Sequence, residues 1–233
     1  MIYAMSDPHG CYRAYRQALE GIGFSSGDTL YVLGDVIDRG PEPIPLLLDM
    51  MSRPNVIPLA GNHEYMAIRV LNRLGVEVTE EAAARLRPED LLDLMYWMED
   101  GGQTTLEQFR RLGRGEQQAV QEFLEGFSLY EEVSAGGRDY VLVHAGLEPF
   151  QPDWPLEAYD LSQMLFQSPD YSRPYFPDRY TVTGHTPTTL LPGAQAGRIL
   201  KQNRHIAIDC GCVFGGRLGV FCLDTEEEFY VEP

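Results

Sequence analysis

The 233-residue chain reads as a mixed α/β protein. Strand and helix signals alternate through the first third, an order that favours a parallel sheet with right-handed crossovers. A wholly helical pattern follows over residues 79–130. The carboxyl third returns to short β-branched and aromatic runs separated by glycine-rich turns. No repeat, low-complexity tract or long linker divides the chain, so one domain over 1–233 is expected, with a substantial core.

Each element has a local reason. Residues 2–5 and 30–33 are apolar runs of strand length, and residues 12–19 between them carry a helical mix. Residues 43–51 begin with Pro43 and Pro45, suited to a first helical turn where a missing N–H costs nothing. Residues 64–74 continue as a helix. The helical stretch divides into 80–86, 89–98, 104–112 and 116–127, with Thr104 and Glu107 spaced as a capping box. Strands are expected at 140–143, 180–183, 206–209, 218–223 and 229–231, those after Gly197 close enough for antiparallel hairpins. Residues 149–155 and 169–177 are proline-bounded surface loops. The sum is two mixed sheets face to face, flanked by helices.

Metal-competent side chains cluster at the ends of the apolar runs. They lie in Asp7-Pro8-His9-Gly10, in Gly34-Asp35-Val36-Ile37-Asp38-Arg39-Gly40, in Gly61-Asn62-His63-Glu64, in Val143-His144-Ala145-Gly146 and in Gly184-His185-Thr186. Carboxyl ends of strands are where open α/β sheets bind ligands. Carboxylate, imidazole and amide oxygen suit manganese, iron or zinc without any thiolate. In Asp7-x-His9 the spacing of two directs both side chains to one side of a strand end. Asp35 is the candidate to bridge two ions lying roughly 3.5–4 Å apart. Four of the five histidines fall in these motifs. Alone, Gly34-Asp35 is an ordinary turn and His144 or His185 an ordinary buried histidine; five such sites in order are not. His205, opening a strand, reads as structural.

In these motifs the chain resembles the metal-dependent phosphoprotein phosphatases, within the wider calcineurin-like metallophosphoesterases, from Met1 to about Gly211. The resemblance implies a four-layer α/β/β/α sandwich and two divalent ions, manganese first, with iron or zinc as alternatives. It implies that Asp7, His9 and Asp35 hold one ion and that Asp35, Asn62, His144 and His185 hold the other. It also implies that His63 is the general acid, that Asp38 orients it, and that Arg39 and Asn62 contact phosphate. The reaction it implies is direct attack on phosphorus by a metal-bridging hydroxide, with no phosphoenzyme. The Asp38-Arg39-Gly40 and Asn62-His63-Glu64 endings resemble the protein-phosphatase branch, so the expected partner is a phosphoserine or phosphothreonine protein, or a small phosphomonoester.

Two departures stand out. Pro8 replaces an aliphatic residue, and its fixed φ suits a turn leaving a strand. Ser168 stands where relatives carry a second phosphate-binding arginine; Arg173 is the expected replacement, with Arg179 the alternative. The helical block, lying between site motifs, is expected to form a cap of about residues 79–130 at the rim, or else a layer packed away from it. Within it, residues 97–105 resemble a Trp, Gly-Gly and Thr segment of bacterial family members.

Composition narrows the function classes. A net charge of −17 and a pI near 4.6 argue against nonspecific nucleic-acid or anionic-membrane partners. No signal peptide or apolar run of membrane-spanning length is visible, and Cys11, Cys210, Cys212 and Cys222 read as reduced thiols of a cytoplasmic protein. A zinc site of Cys210, Cys212, Cys222 and His205 is the lesser reading of that cluster. Three functions compete with a monoester phosphatase: a symmetrical diadenosine tetraphosphate hydrolase, a nuclease-type phosphodiesterase that the acidic chain disfavours, and a catalytically impaired metal-binding regulator. For the nucleotide reading, Tyr96, Trp97, Phe109 and Tyr130 are candidate base-stacking surfaces or core residues.

Overall fold

The computed structural model describes residues 1–74 and 87–233. Three parallel strands, β1 (Ile2–Met5), β2 (Thr29–Leu33) and β3 (Val56–Leu59), form most of one sheet. Helices α1 (Tyr12–Gly21) and α2 (Pro43–Met51) make the crossovers, and α3 (Asn62–Leu74) follows β3. The helical block contributes α4 (Pro88–Trp97), a π turn over Met98–Gly102, α5 (Gln103–Phe109) and α6 (Arg114–Glu125). The second sheet comprises β4 (Tyr130–Ala135), β5 (Arg138–Val143), β6 (Tyr180–Thr183), β7 (Leu200–Gln202) and β8 (His205–Ala207), with the short helix α7 (Leu161–Phe166) between β5 and β6. The chain then returns to the first sheet as β9 (Leu218–Cys222) and β10 (Glu228–Val231). The sheet orders are β10-β9-β1-β2-β3 and β4-β5-β6-β8-β7.

Alternation along the strands builds the layers. Met5, Leu30 and Val32 face a core shared with Ala14, Tyr15, Leu46, Leu47 and Val70 of the helices, whereas Ala4, Leu33 and Leu59 face the second sheet. Across that interface Tyr140, Leu142, Val182 and Ile206 close a dry layer between the sheets, and Val141 and Val143 point outward beneath Leu156, Tyr159 and Met164. Both sheets are therefore buried on both faces, which is why β2 and β5 read as nearly continuous apolar runs. The architecture is the expected α/β/β/α sandwich, its fourth layer made by α7 and ordered loops.

Several local expectations need correction. Strand β4 was not among the expected strands: Tyr130-Glu131-Glu132-Val133 alternates weakly, and the Gly136-Gly137 turn that makes it a hairpin with β5 is the overlooked signal. Helix α7 was also missed, although Asp160 and Gln163 cap it reciprocally. Thr104 and Glu107 form no capping box, because the chain is already helical there; the Thr104 hydroxyl donates back to Gly101 O and Glu107 accepts from Gln103. The helix expected at 80–86 lies outside the described residues. Among the described residues, no helix is long and apolar enough to cross a membrane.

Candidate active site

Loops leaving the carboxyl ends of β1, β2, β5 and β6 carry Asp7 and His9, Asp35 to Arg39, His144, and His185, and the first turn of α3, just after β3, carries Asn62 and His63. Six of these residues, Asp7, His9, Asp35, Asp38, Arg39 and His185, hold φ between +40° and +70°. Such backbone is strained for side chains other than glycine and persists where surrounding structure enforces it, typically at functional sites. The same-side placement of Asp7 and His9 has this cause rather than strand pleating, since β1 ends at Met5. Gly34 allows a close approach: a Cβ there would lie 2.6 Å from His144 Nδ1.

The side chains converge on Asp35. His9 Nε2 lies 3.5 Å from Asp35 Oδ2, and His144 Nε2 lies 3.5 Å from Oδ1. Outer contacts fix the tautomers: His9 Nδ1 donates to Ile37 O at 2.8 Å and His144 Nδ1 to Leu33 O at 2.7 Å, leaving each Nε2 with its lone pair facing inward. The His185 ring lies beside the Phe166 carbonyl and turns Nδ1 toward Asn62 Oδ1, 3.0 Å away. The same oxygen lies 3.0 Å from His144 Nε2. Two imidazole nitrogens thus crowd one amide oxygen.

Burial sets the charge of these groups. It pushes the His9 and His144 rings well below the ordinary histidine range and His185 down to about 4, so the rings are neutral at pH 7. Burial likewise holds Asp7 and Asp35 well above the usual carboxylate range, reinforced by Asp209 beside Asp7 and by Asp7 and Glu64 beside Asp35. Clustered carboxylates and inward lone pairs are a donor set that divalent cations complete, and Asp35–His144–His185 and His9–Asp35–His63 each have ligand atoms close enough to share one.

A calcineurin-like phosphoesterase family model matches residues 1–204. The chain belongs to the calcineurin-like phosphoesterase family. It is 25% identical over 245 residues to a bis(5'-nucleosyl)-tetraphosphatase PrpE [asymmetrical] of Geobacillus sp. (strain WCH70), covering 93% of this chain and 88% of that one. It is also 25% identical over 268 residues to a symmetrical bis(5'-nucleosyl)-tetraphosphatase of Aromatoleum aromaticum, covering 99% and 96%. Among solved structures, a metallophosphoesterase from Sphaerobacter thermophilus superposes with a TM-score of 0.59 at 20% identity, covering 99% of this chain and 87% of that one.

In this phosphoesterase His63 is tied differently from the other rings. Its Nδ1 lies 2.7 Å from Asp38 Oδ2, which also accepts from Trp97 Nε1 at 2.8 Å, while Thr105 Oγ1 donates to Asp38 Oδ1 at 2.6 Å. His63 Nε2 is buried without a hydrogen-bond partner, 3.9 Å from Asp35 Oδ2 and 3.4 Å from Asp100 Oδ2. Arg39 reaches into the same space, donating to His9 Nε2 at 2.7 Å and to Asp100 Oδ1 at 2.6 Å. The π turn thus brings Trp97, Asp100 and Thr105 to the site, so the helical block meets the rim through its 97–105 segment.

Not every expected residue joins them. Arg173 is 61% exposed, pairs with Asp170 at 3.4 Å, and gives its carbonyl to His205. Arg179 pairs with Glu132 and lies over Phe176. Ser168 is the nearer residue, its hydroxyl bonded to that of Thr186 beside His185. His205 packs against Tyr171 and Tyr175, as a structural histidine does. The four cysteines are free, and among the described residues Cys212 lies beside Cys11 rather than in a group of metal ligands.

Two buried acids were given no role of their own in the sequence. Glu64 accepts from the backbone N–H groups of Asp35, Val36, Ile37 and Gly61 at 2.8–3.2 Å, clamping the second and third loops together. Asp209, raised to about 6 by burial, follows β8 beside Asp7 and accepts from Gly211 N at 2.8 Å. The apolar run 206–208 ending in an acid near a glycine repeats the pattern of the other loops and is the signal that identifies it.

Proposed function

We propose that this phosphoesterase hydrolyses a dinucleoside tetraphosphate, with two divalent cations, manganese first, held by Asp7, His9, Asp35, Asn62, His144 and His185. The observation that carries the cation reading is the convergence of the His9, His144 and His185 ring nitrogens and the Asn62 oxygen around Asp35. The nucleotide reading is supported by relatives of both cleavage types that align with nearly the whole chain. This inverts the order expected from the motifs, where a serine/threonine phosphatase came first; that reading retains the resemblance at Asp38-Arg39-Gly40 and Asn62-His63-Glu64. The free thiols accord with a cytoplasmic setting.

Cations bound here supply an activated water and offset the charge of the polyphosphate. The remaining work belongs to side chains. Arg39 offers a planar fork of N–H donors to non-bridging phosphate oxygens as charge develops. His63, held at Nδ1 by Asp38, donates a proton from Nε2 to the departing phosphate oxygen. Trp97 and Thr105 hold Asp38 and act as positioning residues.

Equal amounts of manganese-loaded enzyme are offered diadenosine tetraphosphate and a phosphoserine peptide. The expected result is preferential nucleotide release: two ADP for symmetrical cleavage, AMP and ATP for asymmetrical. Free phosphate from the peptide with negligible nucleotide product would return the protein-phosphatase reading.

A further inference from the structure

A groove of about 520 Å³ opens between α3, α4 and the end of α7, lined by Tyr65, Arg69, Tyr96, Glu99, Asp100 and Phe166. Two of these residues also touch the candidate active site. Asp100 contacts Arg39 and His63, and the Phe166 backbone lies beside the His185 ring. The groove is therefore continuous with the place where phosphate chemistry is proposed to occur.

Its walls are aromatic and open. Tyr96 is 63% exposed and Phe166 38%. Tyr65 meets Phe166 edge to face, with ring centres 6.3 Å apart, and Arg69 lies over Tyr65 at 5.5 Å while pairing with Asp93. The α3–α4 packing does not bury the Tyr96 ring, unlike the neighbouring Trp97, which is fully buried. Clustered exposed aromatics beside a polar site are a platform for a flat ligand, and stacking on such rings is tolerant of base identity. Glu99 adds an acceptor at the rim, matched to the N–H groups on a base edge.

We infer that this groove holds a nucleobase of the substrate, stacked on Tyr96 and on the Tyr65–Phe166 pair, with its polyphosphate running past Asp100 toward Arg39. The inference rests on the nucleotide reading above. It adds a specificity surface which the metal-ligand motifs do not contain. Of the aromatic residues singled out in the sequence, only Tyr96 serves here; Trp97 and Phe109 are core, and Tyr130 pairs with Glu157 on β4.

The test compares Tyr96→Ala and Tyr96→Trp on diadenosine tetraphosphate and on inorganic tetraphosphate, which has no base. Removing the ring should raise KM for the dinucleotide about tenfold, in the range of one lost stacking contact, with a much smaller loss on the inorganic substrate and recovery in Tyr96→Trp. Adenosine, which lacks phosphate, should shift the tyrosine ring resonances of the wild-type protein in NMR and leave those of Tyr96→Ala unmoved. Equal losses on both substrates would overturn the inference while leaving nucleotide hydrolysis intact. If the wild-type enzyme released no nucleotide at all, hydrolysis would be refuted, and the adenosine spectra would still decide the groove. A KM increase confined to phosphopeptides would refute it in favour of a protein substrate.

Discussion

Asp35 is the residue on which both halves of the site depend, and His63 is the one whose ring is tied outward to an acid. They should therefore fail differently. His63→Asn is expected to lower kcat by about 10²-fold or more while the protein retains two ions by elemental analysis; Asp35→Asn should lose metal itself. Loss of an ion from His63→Asn would make His63 a ligand, a role its distance to Asp35 permits. The titrations have a definite sign. Asp7 and Asp35 sit above the usual carboxylate range, so the metal-free fold holds protons that the unfolded chain has released, and stability falls as pH rises toward the raised values. His9, His144 and His185 sit below their ordinary range, so stability also falls as pH drops beneath about 6.5, where the unfolded chain gains protons first. Manganese needs the carboxylates ionised. Calorimetry in buffers of different ionisation enthalpy should register proton release on manganese binding that grows as pH falls; release that does not change with pH would contradict the raised range of these acids.

At the scale of elements, the π turn is the piece that joins the helical block to the chemistry. Gly101 there has φ +101°, and a Cβ would lie 2.7 Å from Arg39 Cγ. Trp97→Phe keeps most of the ring volume and deletes the N–H that Asp38 accepts. It should cost about 1–3 kcal/mol, read as a lower Tm, because a buried carboxylate oxygen loses a donor. It should also lower kcat more than it changes KM; unaltered kcat at full metal content would remove Trp97 from the positioning of His63. Elements with strong periodicity were legible in sequence: α2 and β6 have the expected limits, and α1 extends only two residues further. Weak ones were not, since β4 is polar on its outer face and β7 is three residues long with one fully polar flank. The site was legible for a related reason. Each donor follows an apolar strand in sequence order, whereas the contacts of Trp97 and Thr105 with Asp38 span 59 and 67 residues and leave no local mark.

At the scale of the molecule, the proposed cation pair would join the two sheets into one cooperative unit. Donors from β1, β2 and β3 face donors from β5 and β6, so bound ions fasten one sheet to the other. Stripping them with a chelator should abolish activity and lower Tm; manganese at a hundredfold excess over Kd adds about 2.7 kcal/mol, roughly 5–10 °C for a chain of this size. An unchanged Tm would mean that the ions bridge nothing. The strand order carries a further consequence. β1, which delivers Asp7 and His9, lies between β2 and β9, the ninth strand along the chain. On the ribosome it keeps a bare edge until residues 218–222 emerge, long after its parallel neighbour is available. The nascent sheet thus has a sticky flank throughout synthesis of the second sheet, and its centre is completed only after that sheet's last strand has been made.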